Sequence, residues 1–142
     1  MTWTQHIIRL NPRPRGIHLI TDEIVAATPE IGELSVGLAH IFIQHTSASL
    51  AINENADPSV RTDVRSWLDV AVPEDWSAWT HTDEGPDDMP SHVKSILTGS
   101  FLQLPISNGR LALGTWQGVY LCEHRDRAGG RRVVVTLQGV TR

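Results

Sequence analysis

The sequence predicts an α+β fold: a single compact domain over residues 1–142, mainly antiparallel β-sheet with about three helices, in the order ββαββα-loop-αββββ. Three observations carry this. Short alternating or wholly apolar runs, the signature of strands, fill most of the chain. Helical spacing with start signals is confined to a few stretches. Strands follow one another in runs instead of alternating with helices, as a doubly wound parallel sheet requires.

The elements follow in order. Thr4 to Leu10 alternates, with Thr4, His6, Ile8 and Leu10 on one face. The turn Pro12-Arg13-Pro14-Arg15-Gly16 separates it from a second strand, Ile17 to Ile20. Thr21 reads as an N-cap with Asp22 and Glu23 in the first turn, where the helix dipole favours anions; Ile24, Ala27 and Ile31 share a face, and Thr28-Pro29 shortens the helix. Leu38 to Gln44 is nearly all apolar, which predicts a central strand covered on both sides, and Ala48 to Asn53 alternates as its partner. Asp57-Pro58 is a cap aspartate followed by proline at the first helical position; Val60, Val64, Trp67 and Leu68 then recur at helical spacing. Ala71 to Met89 has no usable period, yet it holds Trp76, Trp79 and His81, so an ordered, functional loop is expected. A helix starts near Asp88-Met89-Pro90 and stops at Gly99. Strands at Phe101–Ile106, Leu111–Leu113, Thr115–Arg125 and Arg132–Gln138 close the chain, with turns at Asn108-Gly109 and Gly129-Gly130.

Composition excludes several classes. A net charge of −4 leaves no basic stripe for nucleic acid. No apolar stretch approaches the roughly 20 residues that cross a bilayer, and the amino terminus lacks the basic-then-apolar pattern of a signal peptide. Cys122 is the sole cysteine, so no intrachain disulfide forms and a cytoplasmic location is expected. Eleven of the twelve cationic residues are arginine, the side chain that grips anions with a planar fork.

Candidate chemistry centres on His45, His81 and His92. His45 ends an apolar strand, His81 lies in the irregular loop, and His92 follows Asp88 by four residues, which brings the two together on one helical face. Imidazoles beside a carboxylate suit a zinc-like cation; equally, each histidine can make a separate hydrogen bond. Asp88 either faces that cation or caps its helix. Asn53 and Asn55 sit at a strand-to-helix junction, where side chains can meet a ligand. Glu123 shares a strand face with Gln117, Val119 and Leu121, where desolvation suits acid–base work; the competing role is an ion pair with an arginine. Walker, GxGxxG and GxSxG motifs are absent.

Gln44-His45-Thr46-Ser47-Ala48-Ser49-Leu50, Asn53-Glu54-Asn55-Ala56-Asp57-Pro58, Glu84 to Ser95 and Gly109 to Gly118 together resemble the YjbQ-type family, also called secondary thiamine-phosphate synthases. The closing Val135-Thr136-Leu137-Gln138-Gly139 agrees, so the likeness spans the chain. The resemblance implies a homotrimer and a reaction joining a pyrimidine pyrophosphate to a thiazole phosphate. It implies His45, His81 and His92 as metal ligands and Asp88, Trp116, Gln117 and Glu123 as catalytic residues. Thr46, Ser47, Asn53, Asn55 and Lys94 would then bind a phosphorylated substrate. Histidine ligands favour zinc over magnesium, whereas pyrophosphate departure usually employs magnesium. A metal-dependent hydrolase or lyase, and a non-catalytic metal-stabilised binding protein, are the competing expectations.

Overall fold

Alternation over β1 (Thr2–Leu10) places Ile8 and Leu10 inward, and the same period in β8 (Arg131–Thr141) buries Val133, Val135 and Leu137. These strands pair antiparallel, Thr2 opposite Gly139 and Leu10 opposite Arg131. The computed structural model describes residues 1–142. The remaining strands are β2 (Gly16–Leu19), β3 (Leu34–Ile43), β4 (Ala48–Glu54), β5 (Phe101–Ser107), β6 (Arg110–Leu111) and β7 (Gln117–Glu123). The helices are α1 (Thr21–Ala27), α2 (Pro58–Ala71) and α3 (Asp88–Thr98), with a 3-10 turn at Pro29–Glu33. Their order is the predicted ββαββα-loop-αββββ.

Two antiparallel sheets form, one ordered β1-β8-β3-β5-β6 and the other β2-β7-β4. Their inner faces meet in the main core: Ile41, Leu104 and Val135 from the first sheet pack with Leu50, Val119 and Leu121 from the second. The opposite face of the smaller sheet carries Ile17, Tyr120 and Cys122 onto Leu68 of α2. Strand β7 is therefore covered on both faces, with Leu121 and Tyr120 in different clusters as alternation requires. Burial pushes the Cys122 thiol up to about 11, so it behaves as a small buried hydrophobe.

Three expectations change. Strand β3 is central, but beyond Leu34 at its start only Ala39, Ile41 and Ile43 are buried; Val36, Leu38 and Phe42 lie on an open outer face. Strand β4 pairs with β7, Ala48 opposite Glu123, and belongs to a different sheet from β3. Trp67 is exposed, and the buried residue of α2 is Leu68.

The caps behave locally. Asp57 accepts the Ser59 N–H at 2.9 Å and starts α2 with Pro58 following. Thr21 does not cap α1; its hydroxyl instead accepts the Val119 N–H at 2.8 Å, tying that helix to β7. Asn108 and Gly109, with φ of 50° and 77°, form the two-residue β5–β6 hairpin turn that their types predict.

Candidate metal centre

Asp88 is the first residue of α3, and its carboxylate is buried. Oδ2 lies 2.7 Å from His81 Nε2 and 3.3 Å from His92 Nε2. The two imidazole rings stand 5.5 Å apart and inclined by 61°. The carboxylate oxygen and two ring nitrogens lie within 4.8 Å of one another. The i,i+4 spacing on α3 brings His92 to Asp88, and the loop preceding α3 supplies His81.

The hydrogen bonds around this group determine its chemistry. His92 Nδ1 donates to the Thr46 carbonyl at 2.9 Å. A carbonyl only accepts, so Nδ1 carries a proton and a neutral ring aims its Nε2 lone pair towards Asp88. A lone pair facing a carboxylate oxygen is repulsive unless a second proton or a shared cation lies between them. Outer hydrogen bonds that set a ligand's tautomer in this way are characteristic of metal-bound histidines. The donor set therefore fits a borderline cation such as zinc, with positions left for further ligands.

His45 does not join this group. Its Nε2 accepts the Arg132 N–H at 2.8 Å, which leaves Nδ1 to carry the proton. Burial, with Arg131 and Arg132 nearby, lowers its affinity for a second proton. His45 instead lines a cleft of about 410 Å³ with Thr46, His92, Ser95, Ile96 and Ser100. The structure thus brings together two of the three imidazoles and one carboxylate.

The remaining candidates are placed elsewhere. Glu123 is buried against Arg131, whose Nε and Nη2 reach Oε1 and Oε2 at 2.8 and 2.6 Å. Oε2 also accepts the Arg125 N–H at 3.1 Å, so both oxygens are engaged. Ser47 Oγ accepts from the same guanidinium at 2.9 Å. Lys94 is only 2% exposed and donates to Asp69 at 2.7 Å, inside the protein and not at a ligand surface. Asn53 accepts its neighbour's Glu54 N–H. Asn55 Nδ2 donates to the Thr115 and Gln117 carbonyls at 3.1 and 3.0 Å and shapes the turn that bears Trp116, which is 64% exposed. Asn55 and Gln117 line a separate cleft of about 440 Å³ with Thr21, Asp22 and Glu23.

Sequence reasoning did not single out Arg125 or Arg131, the cations that hold Asp88 and Glu123. Their only signal was the bias towards arginine. Buried His124 was also passed over; its Nε2 lies 2.8 Å from Ser49 Oγ.

Comparison with known proteins identifies the family and the fold. A family model described as "UPF0047 protein YjbQ-like" matches residues 6–140. The chain is 50% identical over 137 residues to the UPF0047 protein YjbQ of Salmonella typhimurium, covering 96% of this chain and 99% of the relative. It is 45% identical to the UPF0047 protein sll1880 of Synechocystis, over 97% and 95% of the two chains. A crystal structure from Clostridium acetobutylicum, an uncharacterised conserved protein of the YjbQ/UPF0047 family, is 35% identical and superposes with a TM-score of 0.78 over 92% of this chain and 97% of that one. A YbjQ-like protein of unknown function from Sulfolobus solfataricus shares the fold at a TM-score of 0.86 and 21% identity, over 98% and 99% of the chains. These findings correct the functional expectation. The relatives carry only the UPF0047 designation, which names neither a thiamine-phosphate synthase activity nor a metal dependence, so the metal-dependent synthase reading and its hydrolase and lyase alternatives are not supported. With the family model spanning residues 6–140 and a relative half identical over nearly its full length, the chain belongs to the YjbQ-like UPF0047 family.

Proposed function

We propose that the protein binds a divalent cation of the zinc type through His81 Nε2, Asp88 Oδ2 and His92 Nε2. One observation carries this reading: a buried carboxylate oxygen faces two imidazole nitrogens, one of them held in the ligating tautomer by the Thr46 carbonyl. A zinc-like cation sits about 2.0–2.1 Å from nitrogen and oxygen donors, so tetrahedral ligand atoms lie roughly 3.3 Å apart. The His92–Asp88 contact of 3.3 Å already matches, and the 2.7 Å His81 contact needs a small opening. The adjoining cleft, walled by His45, Thr46, Ser95 and Ser100, supports a small oxygen-rich ligand there, a phosphorylated metabolite foremost. Metal analysis of protein purified without chelators tests the site. Near-stoichiometric zinc is expected in the wild type, with loss in His92→Ala and Asp88→Asn and retention in His45→Ala. Equal metal content in wild type and His92→Ala would sink the reading.

A homotrimer is the accompanying proposal, supported by the open outer face of the five-stranded sheet. Trp3, Ile7, Val36, Leu38, Phe42 and Phe101 are all exposed, on either side of a polar row of Gln5, Thr136, His40 and Gln103, and exposed apolar side chains gathered on one sheet face mark association sites. A cytoplasmic location is proposed with it, on the reading of Cys122 as a reduced, buried thiol.

A further inference from the structure

Arg125 lies two residues beyond β7, and its guanidinium is engaged entirely by the turn that enters α3. Nε donates to Asp87 Oδ2 at 2.9 Å, Nη1 to Asp88 Oδ1 at 2.6 Å, and Nη2 to the Glu84 carbonyl at 3.0 Å. One planar fork thus spans three points of the segment between His81 and His92. The arrangement is braced from behind. Asp87 Oδ2 also accepts the Asp126 N–H at 2.9 Å, and the Asp126 carboxylate is held by Arg15 through two contacts of 2.9 Å.

The consequence for Asp88 is geometric. The terminal torsion of an aspartate is broad, so a free carboxylate could offer either oxygen, or both. With Oδ1 tied to Arg125, Oδ2 is the oxygen presented to His81 and His92. There is an electrostatic consequence too. The positive charge of Arg125, shared between Asp87 and Asp88, reduces the net negative charge at the carboxylate and raises the relative weight of the two imidazole nitrogens as donors. Magnesium and calcium depend on charged oxygen ligands, whereas zinc-like cations gain most from imidazole nitrogen.

We propose that Arg125 is the positioning residue of the cation site: it presents Asp88 as a one-oxygen ligand and, by compensating part of its charge, biases the site towards nitrogen-preferring divalent cations. The inference rests on the reading of His81, Asp88 and His92 as that site. Lysine cannot reproduce the effect in full, because an ammonium on a flexible stem lacks the fork that reaches three acceptors at once.

Cobalt(II) is the probe, since its visible absorption reports coordination as well as occupancy. Full-length wild type, Arg125→Gln, Arg125→Lys and His92→Ala would be titrated with cobalt, alone and against magnesium. Melting curves of the metal-free proteins would be recorded alongside. Arg125→Gln should bind cobalt about 10- to 100-fold more weakly, the range usual for loss of an outer-sphere partner. Its absorption bands should change, and its preference for cobalt over magnesium should narrow. Arg125→Lys keeps the charge without the fork, so its bands should shift while its preference over magnesium survives; this variant also carries the test if Arg125→Gln does not fold. A lower melting temperature in Arg125→Gln with wild-type cobalt affinity and bands would overturn the positioning role and leave the cation site standing. Wild type binding cobalt no more tightly than His92→Ala would overturn the site and the role of Arg125 together.

Discussion

His124 shows how burial, reinforced by neighbouring cations, decides the state of a single side chain. Desolvation, with Lys94 and Arg131 nearby, pushes its pKa down to about 3 from an ordinary 6.5. Ser49 Oγ, itself in contact with Thr98 Oγ1, is the hydrogen-bond partner of the neutral ring. Because the unfolded chain binds the proton more readily, this group's contribution is fully present above pH 6.5 and is lost as pH falls from there towards 3. Each pH unit in that window is worth at most about 1.4 kcal/mol. The stability advantage of wild type over His124→Asn in denaturant titrations should therefore shrink by about 1–2 kcal/mol between pH 7 and pH 5. An advantage that does not vary with pH would refute the assignment. The lowered carboxyls of Asp69 and Asp87 act in a different window, since their contributions fade only below the usual aspartate range.

At the scale of elements, the segment between α2 and α3 is neither helix nor strand, yet it makes specific contacts. Trp79 Nε1 donates to the Pro73 carbonyl at 2.8 Å, and Trp76 meets Trp79 edge-on at 4.7 Å. Beyond Trp79, His81 ties the segment to Asp88 at the start of α3, and Arg125 holds Glu84 and Asp87. A cation shared by those residues would make loop order depend on occupancy. Chelation should speed hydrogen exchange and proteolysis across residues 80–87 several-fold and leave α2 unchanged. Identical protection with and without chelator would contradict the coupling.

For the whole molecule, one sheet has a covered face and an open one. The inner face of β3 is buried against the smaller sheet, whereas Phe42 on its outer face is exposed, in one row with Phe101 of β5 and, across β8, Ile7 of β1. The proposed trimer would cover such a surface. Phe42→Asp should then shift the mass in light scattering from trimer to monomer, with the circular dichroism spectrum retained. A wild type that is already monomeric at micromolar concentration would end that proposal.

Element boundaries and their order were determined locally, because alternation, helical spacing and the Asp57-Pro58 cap report on neighbouring residues alone. The pairing of His92 with Asp88 was legible for the same reason. Family likeness added His81, which no spacing rule connects to α3. The tertiary structure decided which strands pair, so β4 lies beside β7 at a separation that no local pattern encodes. It decided that β3 is covered on one face only, since an apolar residue demands burial without naming what buries it. It also separated His45 from the other two imidazoles and delivered Arg125 and Arg131 to Asp88 and Glu123. Charge pairing acts through space, and only the folded chain sets those distances.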